Sequence, residues 1–336
     1  MSDIAKGILG GGWGLVVGWI LPTLINVALF IALAPAVSGL SVGDLLSGSA
    51  TPTVAVLGVG VLVAGLVLAA IQNLLYRILE GYTLWPAALQ RWGRRRQLSR
   101  KHLLTDRHDA MRLAAAEAAG QDVAEAIAPY RAHGRLSRYA RRGEVSAVAI
   151  GLAAERLRRY PIDDEQIAPT RLGNSIRRLE EYAWSRFGLD SQILWSELVS
   201  LVEEQARKDE AAARANVDFF VCMLSGHVLL SLTLTGLWLA GTVSGPAPLA
   251  GAAALLVAAR IWYSAAVGAV DSWDGAVRAM VNLGRQRLAE AFGLVMPATL
   301  ADERAMWQHV AHLVRHPADA EATTALDGYR RAATQP

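Results

Sequence analysis

Four apolar stretches limit what this chain can fold into: Gly11–Leu33, Val54–Tyr76, Phe219–Leu239 and Leu249–Val270. A hydrocarbon core of about 30 Å takes about 20 helical residues to cross. Each stretch reaches that length. No water is available in such a core to satisfy backbone groups, so runs of this kind are helices. Composition agrees, with 53% of residues hydrophobic and 19% charged, against roughly a quarter charged in a soluble domain. Disordered, collagen-like and disulfide-built chains are excluded. Cys222 is the single cysteine and lies inside the third stretch, so a disulfide within one chain and a cysteine-based zinc site are both excluded.

The four stretches pair into two hairpins. The connection Ala34–Thr53 holds Asp44 and no Lys or Arg, and Ala240–Pro248 holds no charge. Arg77–Asn216 holds 24 Lys/Arg against 19 Asp/Glu. Basic residues close to span ends stay in the cytoplasm, and Arg77, Arg91, Arg94, Arg95, Arg96, Arg100 and Lys101 all follow the second stretch. The reading is an all-α, polytopic membrane protein: four transmembrane helices in two hairpins, with a helical cytoplasmic domain and both termini cytoplasmic. Residues 1–84 form the first hairpin, 85–216 the cytoplasmic domain, 217–270 the second hairpin, and 271–336 C-terminal cytoplasmic helices and a tail. Ala32–Ala34 resembles a signal-peptide cleavage site, but the preceding apolar run is too long and Pro35 follows. The first span is therefore expected to be retained.

Trp85-Pro86 and Gly93 are expected to break up the basic stretch that ends at Lys101. Arg91, Arg94, Arg95 and Arg96 either hold anionic lipid headgroups, at about 1 kcal/mol per basic residue, or serve only as the topological signal. Nucleic acid is not expected as a partner, because no nucleic-acid module is visible. Val145–Ala154 is too short to span and reads as a buried core helix. Pro161 ends its pattern, and Asp163-Asp164-Glu165 follow in a solvated loop. Thr170–Phe187 is amphipathic, with Leu172, Ile176, Leu179, Ala183 and Phe187 on one stripe, an Arg177–Glu181 pair, and Gly188 as its stop. Asp190 is expected to cap the next helix, which carries Leu194, Leu198 and Val202 and runs unbroken into the third span. The fourth span should continue through Trp273, Val277, Met280 and Leu288 to Phe292, and Thr299 with Asp302 opens a last helix containing Trp307, Val310 and Val314.

The segments Tyr76–Tyr82, Pro169–Asn174, Phe187–Trp195 and Asp302–Trp307 resemble multi-pass membrane proteins of actinobacteria whose activity is not known. The resemblance covers about a tenth of the chain. It implies a bacterial source, hence the bacterial cytoplasmic (plasma) membrane, and implies no site residue.

Polar groups inside a membrane are costly and mark function by default. Arg260 lies near the middle of the fourth stretch, and His227 at similar depth in the third. No acid shares that depth, so the two would enclose an anion or neutral acceptors. Two readings of Arg260 stay open. It lines a wet, anion-accessible interior with His227 and Asn26, or it is structural. A structural Arg260 bonds to Asn26, Ser231 or helix carbonyls, stacks on Trp262 or Tyr263, or snorkels. Gly10, Gly14 and Gly18 form a small-residue stripe for close helix packing, within or between chains, and Pro22 should kink the same helix.

His309, His312 and His316 follow helical spacing on the last amphipathic helix, where they are either metal-ligand candidates or polar surface. No phosphate loop, nucleophile elbow or H-E-x-x-H motif is present. No enzyme activity and no cofactor is expected. The function expected is an oligomeric ion channel or pore, a homo-oligomer with a cytoplasmic regulatory domain. The alternative is a membrane-anchored scaffold or regulator whose cytoplasmic helices bind a protein partner.

Overall fold

The computed structural model describes residues 12, 14–33, 51–141, 146–316 and 320–330, with 51–54 and 320–322 described by backbone alone. Gly10, the first connection at 34–50, Val145 and Pro317 lie outside the described residues.

Helix α1 (Val16–Leu33) opens with a π turn over Val16–Ile20, where the Leu21 N–H donates to the Val16 carbonyl. Pro22 lacks an N–H, and its ring crowds the carbonyl four residues earlier. The wide turn falls at that place, and the Thr23 hydroxyl donates to the Trp19 carbonyl at 2.6 Å. The Thr23 hydroxyl is thereby satisfied inside the apolar segment. Helix α2 (Thr51–Ala70) meets this turn, where a Cβ on Gly65 would stand 3.1 Å from the Ile20 Cα.

The chain then bends by 57° at Ile71 and resumes as α3 (Gln72–Glu80). The second span expected over Val54–Tyr76 is therefore bent at Ile71. The Leu74 N–H turns back to the Ile71 carbonyl at 2.9 Å, at the point where Gln72 and Asn73 end the apolar run.

Two compact units exist: Arg77–Glu181, and Met1–Tyr76 with Tyr182–Pro336. Residues 182–216, expected within the middle domain, thus group with the apolar helices.

In the unit Arg77–Glu181, α4 (Ala87–Ala118) is one continuous helix. Gly93 does not interrupt it. A Cβ there would stand 2.9 Å from the Pro169 carbonyl oxygen, so this glycine permits a close approach. Ala110 and Ala114 of α4 bury Ile127 of α5 (Ala124–Ala132) together with Ala140. Helix α6 (Ala147–Leu157) is capped by Ser146, whose hydroxyl accepts the Ala149 N–H at 3.1 Å. Its apolar face is not a core: Val148 is 71% and Leu152 49% exposed. Helix α7 (Arg171–Glu180) is capped by Thr170, which accepts the Gly173 N–H at 3.0 Å, and it buries Leu172, Ile176 and Leu179.

The long amphipathic helix breaks at Glu181, and α8 (Tyr182–Phe187) continues the stripe by burying Ala183 and Phe187. At the break the Glu181 carboxylate accepts the Ile162 N–H at 2.7 Å. The expected Arg177–Glu181 pair gives way to Arg178–Glu181 at 2.6 Å and Arg177–Glu180 at 3.5 Å.

In the other unit, Asp190 caps a turn rather than a helix, accepting from the Gln192 and Ile193 N–H groups at 3.2 and 3.3 Å. Helix α9 (Trp195–Leu201) follows, and α10 (Glu204–Leu239) begins only after extended backbone at Val202 and Glu203. The expected unbroken run is interrupted because Leu198 and Val202 turn onto Gly284, where a Cβ would stand 2.6 Å from Val202. Helix α11 (Ala247–Ala291) pairs antiparallel with α10, and the contacts Glu210–Trp273, His227–Trp262 and Ser231–Ala252 fix the register. It runs unbroken to Phe292, as expected, and Gly293 stops it at φ +72. Helix α12 (Leu300–Arg315), capped by Thr299, buries Trp307 and Val310 and leaves Val314 40% exposed. Helix α13 (Ala320–Asp327) is the last described helix.

The protein is all-helical, with no strand among the described residues. Helices α1, α10 and α11 are long and apolar enough to cross a membrane, and a fourth span is reached if the bent pair α2–α3 counts as one.

Candidate functional site

Trp262, His227 and Asn26, on three of the apolar helices, form a hydrogen-bonded chain. The Trp262 indole N–H donates to His227 Nε2 at 3.3 Å. An indole nitrogen only donates, so Nε2 is the unprotonated nitrogen of a neutral ring and Nδ1 carries the hydrogen. That N–H faces Asn26 Oδ1 at 3.0 Å. The Asn26 amide nitrogen donates to the Pro22 carbonyl at 2.8 Å and approaches the Met223 sulfur at 3.8 Å. Trp262, His227 and Asn26 thereby tie α11, α10 and α1 together. His227 is 4% and Asn26 7% exposed. Every strong donor in the chain has an acceptor, so the arrangement fixes helix positions and leaves no open ligand site.

Arg260 does not join it. Trp262 points inward to His227, and Arg260, two residues earlier on the helix, points outward beside the exposed Val257 and Ile261. Its guanidinium donates to Ser264 and lies 5.7 Å from the centre of the Tyr263 ring. No carboxylate among the described residues pairs with it. The expected meeting of Arg260 with His227, and its expected bonds to Asn26 or Ser231, are therefore corrected. Asn26 is engaged by His227, and Ser231 donates to the Ala252 carbonyl at 2.9 Å. The reason is angular: residues two apart on a helix face nearly opposite ways.

Gly14 and Gly18 of the glycine stripe face α10. A Cβ on Gly18 would stand 2.9 Å from Asp218 Cβ, and one on Gly14 would stand 3.9 Å from Ala215 Cβ. Asp218 accepts the Tyr76 hydroxyl at 2.7 Å. Cys222 is fully buried and lies 3.6 Å from the Thr23 hydroxyl.

The basic stretch in the unit Arg77–Glu181 is partly committed to its own fold. Arg94 donates to the Glu165 carbonyl at 2.9 Å, and Arg96 stacks on Trp92 at 5.3 Å. Arg91 and Arg95 are exposed. Lys101 donates to the Ile162 carbonyl at 2.7 Å and to Asp164 at 2.6 Å, and His102 meets the second Asp164 oxygen at 2.7 Å. The loop expected to be simply solvated is thus clamped to α4. The hydrogen bonds from Lys101 and His102 hold the Asp164 carboxyl below the usual carboxylate range.

A depressed carboxyl contributes stability above its unfolded pKa, and that contribution is lost as pH falls through its folded value. Asp164 is half-exposed, so the clamp is worth no more than about 1 kcal/mol. Asp164→Asn is expected to speed proteolytic cleavage and amide exchange over 162–166 at neutral pH. The difference from wild type should vanish in strong acid, where both side chains are uncharged. A difference unchanged by acid would contradict the clamp.

The His312 and His316 rings approach to 4.8 Å. No group of three His, Cys, Asp or Glu side chains among the described residues is arranged to hold a metal, so the structure does not gather the His309, His312 and His316 triad into a metal site. No protein family matches the chain, and neither a curated protein nor a solved structure is similar to it. Sequence reasoning missed the role of Trp262. Its signal was present: an indole needs an acceptor when buried, and His227 was the acceptor at matching depth.

Proposed function

We propose that the protein is a homo-oligomeric anion channel or pore of a bacterial cytoplasmic membrane. Four spans in two hairpins, the second of them bent at Ile71, cross the bilayer. Both termini and the unit Arg77–Glu181 lie in the cytoplasm, the latter as a regulatory element. The positive residues that follow the second span support this orientation.

One observation carries the reading: Arg260 sits near mid-span on the outward face of α11, with Ser264 and Tyr263 as its partners among the described residues. A central Arg costs about 2.5–3.5 kcal/mol on insertion scales, and more in lipid by other accounts. Association of several copies around that face removes it from lipid. Ringed around a water path, such guanidinium groups attract anions and repel cations.

The test is the current of purified protein in planar bilayers across a salt gradient. A reversal potential of anionic sign is expected, and the absence of any conductance would overturn the reading. The exposed Val148 and Leu152 on α6 favour the second reading, a membrane-anchored scaffold that binds a protein partner through its cytoplasmic helices. In that case Val148→Ser abolishes partner capture, and no current is seen.

A further inference from the structure

The unit Arg77–Glu181 contains a cleft of about 440 Å³ lined by Leu103, Arg107, Arg135, Arg138 and Tyr139, with Gly134 at an open edge. Two guanidinium groups rest on one ring: Arg107 lies 4.3 Å and Arg138 4.7 Å from the centre of Tyr139. The ring is held from behind, packed against the buried cluster Ala110, Ala114, Ile127 and Ala140. The cleft therefore has a fixed floor.

No carboxylate among the described residues lines it. Of the nearby acids, Glu117 is paired by Arg131 and Asp109 bonds His108. Arg107 Nε is buried with no hydrogen-bond partner among the described residues. A buried donor without an acceptor is costly. Two like charges on one ring, with Arg135 lining the same cleft, are costly too, unless an anion sits among them.

We infer that this cleft binds a phosphate ester or diphosphate. Its three cations call for more than the single charge of a carboxylate. Planar guanidinium forks match phosphate oxygens two at a time. The volume exceeds that of one phosphate and falls in the range of small-molecule sites, and Leu103 offers an apolar wall for the organic part. The shared chemistry is the phosphate, carried by a soluble compound or by a lipid headgroup.

The test uses the full chain in nanodiscs of neutral phosphatidylcholine, with inorganic pyrophosphate titrated calorimetrically at low salt. Saturable binding is expected. Arg135→Gln and Arg138→Gln, both at exposed positions, should each weaken it about tenfold or more. Arg156→Gln, an equally exposed change on α6, should leave it unaltered. Absence of saturable binding by the wild-type protein, or equal weakening by Arg156→Gln, overturns the proposal. A repeat in phosphatidylglycerol nanodiscs assigns the source. Loss of pyrophosphate binding through competition marks a lipid headgroup, and unchanged binding marks a soluble phosphate compound.

Discussion

Gly226→Ala is expected to lower the unfolding midpoint of the detergent-solubilised protein more than any other single methyl addition in α10. A Cβ at this position would collide with the side-chain amide of Asn26. Asn26 cannot simply turn away. Its nitrogen is bonded to the Pro22 carbonyl and its oxygen receives the His227 ring N–H. Inserting a methyl into a packed core costs about 1–3 kcal/mol, and orphaning a buried donor costs about 1–3 kcal/mol. The two overlap, so a loss of about 2–4 kcal/mol is expected. Gly236→Ala lies on the same helix with open space around it, and alanine favours a helix over glycine by about 1 kcal/mol. It should leave the midpoint unchanged or raise it. Thermal melting followed by circular dichroism decides between them, and equal melting of the two variants would contradict the packing described.

The second large effect concerns Arg260. Arg260→Gln keeps a polar side chain of similar reach and removes the charge. If guanidinium groups set the anion preference, the reversal potential in a salt gradient should collapse toward zero, and Arg260→Glu should invert its sign. Folding should not suffer, because the side chain is exposed and, among the described residues, bonds Ser264 and lies over Tyr263. Removing an Arg from lipid would by itself raise stability. A variant that is more stable and conducts with unchanged selectivity would show that Arg260 merely snorkels.

The apolar helices were legible because a run of about 20 apolar residues has few other fates. The continuous α11 was legible because Trp273, Val277, Met280 and Leu288 keep one helical face as far as Gly293. The break at Ile71 was not, since no Pro or Gly marks it. Nor was the break at Val202, which depends on where Leu198 and Val202 pack against Gly284. Gly93 and Val148 misled in opposite ways. A glycine in a helix was read as a breaker when it serves close contact with Pro169, and an apolar run was read as core when its face is exposed. Helical spacing alone says which residues share a face, and not what covers that face. For the same reason the depth of Arg260 and His227 could be read, while their opposite directions depended on how Trp262 docks.

The cleft of Arg107, Arg135, Arg138 and Tyr139 was invisible because α4 and the turn Ser137–Tyr139 bring together residues about 30 apart. No spacing rule links them.

The most direct test of the central claim is cryo-EM of the protein in nanodiscs of a native-like lipid mixture. The account predicts a closed ring of chains in which Arg260 faces a shared, water-accessible space. A monomer with Arg260 directed into lipid, and no continuous water path, would contradict it.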